Sequence, residues 1–249
     1  MNECFQKAWE SRWSRLGPMT LSILLLLQPG VKAQDSGPTV GNLVQAAFEG
    51  DVIAQLSVAT MYEERRAYED AAKWFKRAAL QGNPDAQFKI GFFLSTGQGG
   101  TTNLVEAADW YERAASNKVA RAQHNLAVCL EHGLGRDKDL IQALKWYREA
   151  AYQRDTFAQK AVGVFHHQGK GVSKDLAEAG AWYMLAAGRG NVRASQLLEE
   201  LKKEVSVADW EKAKETGNRL SVAIYSEPLR DPVKTPEEEK KEMPKDFLE

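Results

Sequence analysis

Residues 143–151 read "ALKWYREAA", and the phrase that begins at Trp146 occurs four times. "WFKRAALQG" starts at Trp74, "WYERAASNK" at Trp110, "WYREAAYQR" at Trp146 and "WYMLAAGRG" at Trp182, each 36 residues after the last. Leading alanines keep the same beat at Ala86, Ala122 and Ala158, with Ala194 after them. A Gly-x-Gly does so too, at Gly97/Gly99, Gly133/Gly135 and Gly169/Gly171. A fixed period of this length marks stacked units, each too small to bury its own apolar face.

Each unit reads as two helices. Ala122, Leu126, Cys129 and Leu130 fall at i, i+4, i+7 and i+8, one apolar face. Ala143, Trp146, Tyr147 and Ala150 make a second such face, with Lys145, Arg148 and Glu149 pointing mostly away. The glycine pair lies between the helices, where a positive φ costs glycine little. On this reading Trp74, Trp110, Trp146, Trp182, Gly97, Gly133 and Gly169 are framework. The large indole of Trp146 is expected to fill the space between layers.

The ends of the array depart from the beat, as ends of repeat arrays do. "LVQAAFEGDVIAQ" aligns Ala46, Ala47, Gly50 and Ala54 with Ala78, Ala79, Gly82 and Ala86, a lone second helix as N-terminal cap. The unit from Ala54 to Trp74 lacks the glycine loop and carries "EERR" instead. "ASQLLEELKKEV" and "SVADWEKAKETGN" form a last helix pair, with Ser206 and Asp209 suited to a cap.

The resulting division is a signal peptide at 1–33, a short linker at 34–42, a solenoid at 43–218 and a charged tail at 226–249. Repeats fall at about 54–82, 86–118, 122–154 and 158–190, with capping helices at 43–50 and 192–218. The signal rests on Arg12 and Arg15 before the apolar run "LSILLLL", then Val31 and Ala33 at the positions read by signal peptidase. The run is far shorter than the roughly 20 apolar residues of a spanning helix. The expectation is therefore an exported protein, periplasmic or extracellular, with no stable membrane span after cleavage. The proline-rich tail "EPLRDPVKTPEEEKKEMPKDFLE" reads as disordered.

Composition narrows the function classes. The net charge of −1 becomes −3 without the leader, which holds Lys7, Arg12, Arg15, Lys32, Glu3 and Glu10. No basic excess points to nucleic acid. Loss of Cys4 leaves Cys129 alone, so no internal disulfide forms. Cys129 fills the slot of Met61, Phe93 and Phe165 and is expected to be a buried small hydrophobe.

The pattern resembles the Sel-1-like repeat, a relative of the tetratricopeptide repeat. In the last full unit the matching residues are Ala158, Val162-Gly163, His166, Gly169, Gly171-Val172, Asp175, Ala179, Trp182-Tyr183, Ala186-Ala187 and Gly190. The likeness covers residues 43–190 closely and extends loosely to about 218. His166, Leu94 and Leu130 replace the usual tyrosine, and Lys118 and Arg154 replace a terminal glycine. The resemblance implies an all-α, right-handed α-solenoid that binds other proteins on a concave face and does no chemistry. A cysteine-rich branch, with some members tied to penicillin binding, staples each repeat with cysteine pairs that are absent here.

Chemical motifs are weak. "GVFHHQGKG" has five residues between Gly163 and Gly169 where a phosphate loop needs four, and no strand before it. His166 and His167 are neighbours, about 100° apart on a helix, and His124 and His132 are two turns apart. Neither pair has zinc-ligand spacing, and surface or groove positions are expected for them. No spacing nominates a catalytic triad or an acid/base pair. The expectation is no catalytic residue, no metal and no cofactor.

Function then falls to positions that the framework leaves free. By analogy with tetratricopeptide repeats, the first helix of each unit lines the concave face. Two residues after the leading alanine come Leu56, Phe88, His124 and Lys160; six after it come Thr60, Phe92, Val128 and Val164. Leu56, Phe88, Phe92, His124 and Lys160 make a ladder that is apolar at one end and cationic at the other, suited to a protein or peptide partner. Val128 and Val164 either join it or pack inside. The main expectation is a monomeric protein-binding scaffold; the alternatives are an envelope hydrolase of the penicillin-recognising kind and a regulator that works through its acidic, proline-rich tail.

Overall fold

The computed structural model describes residues 40–226; the leader, most of the linker and the tail beyond Ser226 lie outside the described residues. Among the described residues every regular element is a helix. They are α1 (Val40–Glu49), α2 (Val52–Glu64), α3 (Tyr68–Leu80), α4 (Pro84–Thr96), α5 (Leu104–Ser116), α6 (Ala120–His132), α7 (Leu140–Tyr152), α8 (Thr156–Gln168), α9 (Leu176–Gly188), α10 (Val192–Leu201) and α11 (Val207–Tyr225). Two compact units result, one ending at Ala86 and one starting at Gln87.

In the first unit α1 packs on α2 and α2 on α3. Asp51 caps α2 through the Ala54 N–H at 2.6 Å. The "EERR" turn closes with Arg66 at φ 59°, so an arginine takes the left-handed position without a glycine loop. Trp74 is buried, its ring edge-on to Phe48 at 4.9 Å, and the Arg77 guanidinium lies 4.5 Å over the indole.

The second unit stacks its helices in chain order: α5 on α6, α6 on α7, α7 on α8, α8 on α9, and α9 on both α10 and α11. Contact between chain neighbours is what a solenoid is built from. Asn103, Asp139, Asp155, Asp175, Asn191 and Ser206 cap α5 and α7 to α11, each accepting a backbone N–H of the first turn. Gly133 and Gly169 end α6 and α8 in the left-handed region, at φ 72° and 71°. The second glycine of the motif serves close approach. A Cβ at Gly135 would run into the Leu104 carbonyl at the start of α5, and one at Gly171 would lie 2.8 Å from that of Leu140 at the start of α7. In the first of the three loops the positive angles fall on Gly97 and Gly100, not on Gly99.

Helices rich in alanine come close because little stands between them. Ala107, Ala114, Ala122, Ala143, Ala150 and Ala158 have no exposed surface, and Leu126, Val162, Phe165 and Trp182 fill the space they leave. Cys129 is buried and free, as expected from its register.

Four expectations are corrected. Trp146 is only half-buried, while Tyr147 beside it is buried at 2% exposure, as Phe75, Tyr111 and Tyr183 are in the other units. The other second-helix tryptophans show why. Trp110 and Trp182 donate Nε1–H to Glu106 and Glu178 one turn before, and Trp74 and Trp110 lie under Arg77 and Arg113. Trp146 has Gln142 and Glu149 at those places, and neither holds it. Arg148 does not point away but donates to His166 at 2.9 Å. The helical region starts at Val40, inside the expected linker, and α11 continues to Tyr225, past the expected end at 218. The reason for the last is packing: Leu220 and Tyr225 lie against the core and Ile224 is part of it.

Candidate binding face

Four of the five ladder residues lie in the second unit, and all four are half-buried. Leu56, also half-buried, belongs to the first unit. Phe88 and Phe92 sit one turn apart on α4 with ring centroids 6.4 Å apart, and Phe88 lies 6.2 Å from the ring of Tyr111 on α5. His124 repeats that arrangement one repeat on: its ring stands edge-on to Tyr147 at 5.5 Å. It also meets Phe157, in the first turn of α8, at 6.4 Å. Phe88 and His124 thus each rest on a tyrosine of the next helix. Lys160 carries no hydrogen bond or ion pair among the described residues. Val128 and Val164 pack against the core, so they support the face from inside.

The tyrosine hydroxyls are tied down on the same side of the first helices. Tyr111 shares a hydrogen bond with Ser95 at 2.9 Å. Tyr147 donates to Glu131 at 2.9 Å, and Lys170 reaches the other oxygen of that carboxylate at 3.1 Å. Tyr183 meets Nδ1 of His167 at 3.3 Å, whose Nε2 faces Glu204 at 3.3 Å. Burial pushes the hydroxyls of Tyr111, Tyr147 and Tyr183 up from the usual tyrosine range; the Glu131 charge adds to this at Tyr147. They stay neutral donors or acceptors.

The histidines divide. His166, expected at the surface or in the groove, is buried at 5% exposure. Burial and, after it, the Arg148 guanidinium hold its imidazole below the usual histidine range, so the neutral ring accepts from Arg148 through Nε2. His167, about 100° further round α8, is half-buried against Tyr183. His132 is mostly exposed. Among the described residues no three His, Cys, Asp or Glu side chains are grouped to hold a metal ion.

A second register runs beside the ladder. The residue after each leading alanine is a glutamine: Gln55, Gln87, Gln123 and Gln159, all buried. In three of them Nε2 donates to a carbonyl at the end of the preceding helix: Gln55 to Ala47, Gln123 to Ala115 and Gln159 to Ala151, at 3.1, 3.2 and 3.1 Å. Gln81 and Gln153, at the ends of the next second helices, donate back to Gln55 and Gln123. After Gln159 the matching residue is Arg189, and Tyr225 of α11 comes in instead, bonded to Gln159 at 2.8 Å. Arg189 stacks on that ring at 3.8 Å and Arg154 at 5.2 Å, while Arg154 Nε donates to the Ile224 carbonyl at 3.0 Å. The Ala-Gln dipeptide at the repeat period was the available signal. Phe157 also breaks the beat, standing where Arg121 and Asp85 stand in other units.

A run of helix pairs with small residues at fixed places defines a helical repeat protein. A Sel1 repeat family model matches residues 53–83, 84–119, 120–155 and 156–191. The chain belongs to the Sel1 repeat family, whose members are in general non-catalytic and mediate protein–protein interaction. It is similar to a Sel1 repeat protein of Oxalobacter formigenes, with 29% identity over 73% of this chain and 82% of that one, at a TM-score of 0.60. The protective antigen c5321 of uropathogenic Escherichia coli, displaying an SLR fold, shares 23% identity over 82% of this chain and 54% of its own, at a TM-score of 0.53, a likeness of fold. No curated protein sequence matches significantly. No described helix is long and apolar enough to cross a membrane.

Proposed function

We propose that the chain is a monomeric, non-catalytic scaffold, exported behind its leader, that holds a partner protein along Phe88, Phe92, His124 and Lys160. One observation carries this reading: these side chains are half-buried at positions where the repeats do not agree, Phe88 and His124 each resting on a tyrosine ring, while the agreeing positions are spent on packing. Apolar anchors beside an unpaired cation suit a segment with an apolar side chain followed by a carboxylate.

Replacing Phe88 and His124 together by alanine tests it. Capture of the partner from the exported fraction should be lost while helical circular dichroism stays as in the unaltered chain. Unchanged capture by a folded double variant overturns the assignment of the face.

A further inference from the structure

The middle of the ladder holds an arrangement that packing alone does not require. The His124 ring makes T-shaped contacts with both Tyr147 and Phe157, and its Nδ1 is buried with no hydrogen-bond partner. The nearest carboxylate oxygen is Oδ1 of Asp155, at 3.8 Å, too far for a hydrogen bond. Asp155, itself only 15% exposed, spends that oxygen on the Ala158 N–H at 2.8 Å, which caps α8. A carboxylate oxygen has room for a second donor.

We propose that His124 and Asp155 form an acid-operated clasp: on taking up a proton the imidazole presents an Nδ1–H to the Asp155 carboxylate and ties α6 to the capping turn of α8. The charged groups around the ring set when this happens. Burial and the Lys160 ammonium on α8 oppose the proton; Asp155 before α8 and Glu131 on α6 itself favour it; Tyr147 on α7 stays neutral. Burial is the largest effect and holds His124 below the usual histidine range, so the clasp is open at neutral pH. In acid the centre of the ladder turns from an aromatic edge into a cation beside Lys160. This consequence rests on the binding reading above: an apolar segment lying on the ring opposes the proton and is released as the clasp closes.

Proton–carbon NMR of the imidazole rings in the full chain tests the clasp without any partner, with His124 assigned by its absence in H124Q. From about pH 8 to about pH 4.5 the His124 ring should titrate with a midpoint below the ordinary value of about 6.5. The Phe157 ring and the Ala158 amide should move with that same midpoint. D155N, whose side-chain oxygen still caps α8, should lower the midpoint by up to about one unit; K160Q should raise it. A Phe157 ring and Ala158 amide that ignore the His124 titration overturn the proposal, as does a midpoint that D155N leaves in place. Partner capture is read separately at neutral pH, so a silent clasp leaves the binding face standing, and failed capture leaves the clasp standing.

Discussion

Trp146 and Trp182 occupy the same place in the repeat and differ in what surrounds them. Trp182 is 1% exposed, donates to Glu178 and meets Tyr152 edge-on, whereas Trp146 is half-buried with neither partner. Trp182→Ala should cost about 3–5 kcal/mol, in the range for buried aromatic truncation, and Trp146→Ala about half that. Urea unfolding of the two variants compares them; equal losses would contradict the difference in packing. His166 gives a second contrast. Its folded value lies below the unfolded one, so between the two values the unfolded chain binds more protons and stability rises with pH. The penalty is absent above the ordinary value of about 6.5, grows as pH falls through it and is complete below the folded value. His166→Gln keeps an acceptor for Arg148 and removes the titration. Its unfolding midpoint should fall less between pH 7 and pH 5 than that of the unaltered chain, and an equal fall would locate the acid sensitivity elsewhere.

The turns that follow the second helices show how one backbone position serves two ends. Lys118 and Arg154 stand where other units have Gly82 and Gly190, and both adopt the left-handed region, at φ 63° and 71°. Each bears a steric cost of roughly 1–2 kcal/mol that glycine avoids, against roughly 0.5–1 kcal/mol for the extra freedom of an unfolded glycine. The Lys118 side chain is exposed and offsets none of this, so Lys118→Gly should stabilise by about 0.5 kcal/mol. Arg154 pairs with the Ile224 carbonyl and stacks on Tyr225, contacts that hold the last turn of α11 against α7 and α8. Arg154→Gly removes both and should destabilise by about 1 kcal/mol, despite the easier backbone. Opposite signs in thermal unfolding are the expected result. The residue numbers of these two departures were plain in the sequence. Their opposite roles were not, because α11, which follows no repeat, meets Arg154 from 70 positions further along the chain.

The period made the helix pairs, the loops and the order of stacking readable, since each needs only neighbours in the chain. It hid what lies across the period. Trp146 shares its letter with three buried tryptophans, yet its burial depends on Gln142 and Glu149, which differ from unit to unit. The ladder is legible as a set of positions where the units disagree; Phe157 is not, because it lies in the first turn of the next unit and meets the His124 ring from there. The glutamine register escaped for the opposite reason. It agrees in every repeat, and a polar residue with perfect agreement on a helix does not announce burial. Gln123 is 2% exposed and links three consecutive helices, giving to Ala115 at the end of α5 and taking from Gln153 at the end of α7. Gln123→Ala leaves a buried carbonyl and a side-chain amide unanswered, a cost of about 2–3 kcal/mol. In a stack held by nearest neighbours such a loss stays local. Native-state hydrogen exchange should therefore quicken in α5, α6 and α7 and leave α9 and α11 close to their original protection. A uniform rise across all of these helices would mean that the second unit opens only as a whole, and that its repeats are bound more cooperatively than their pairwise contacts require.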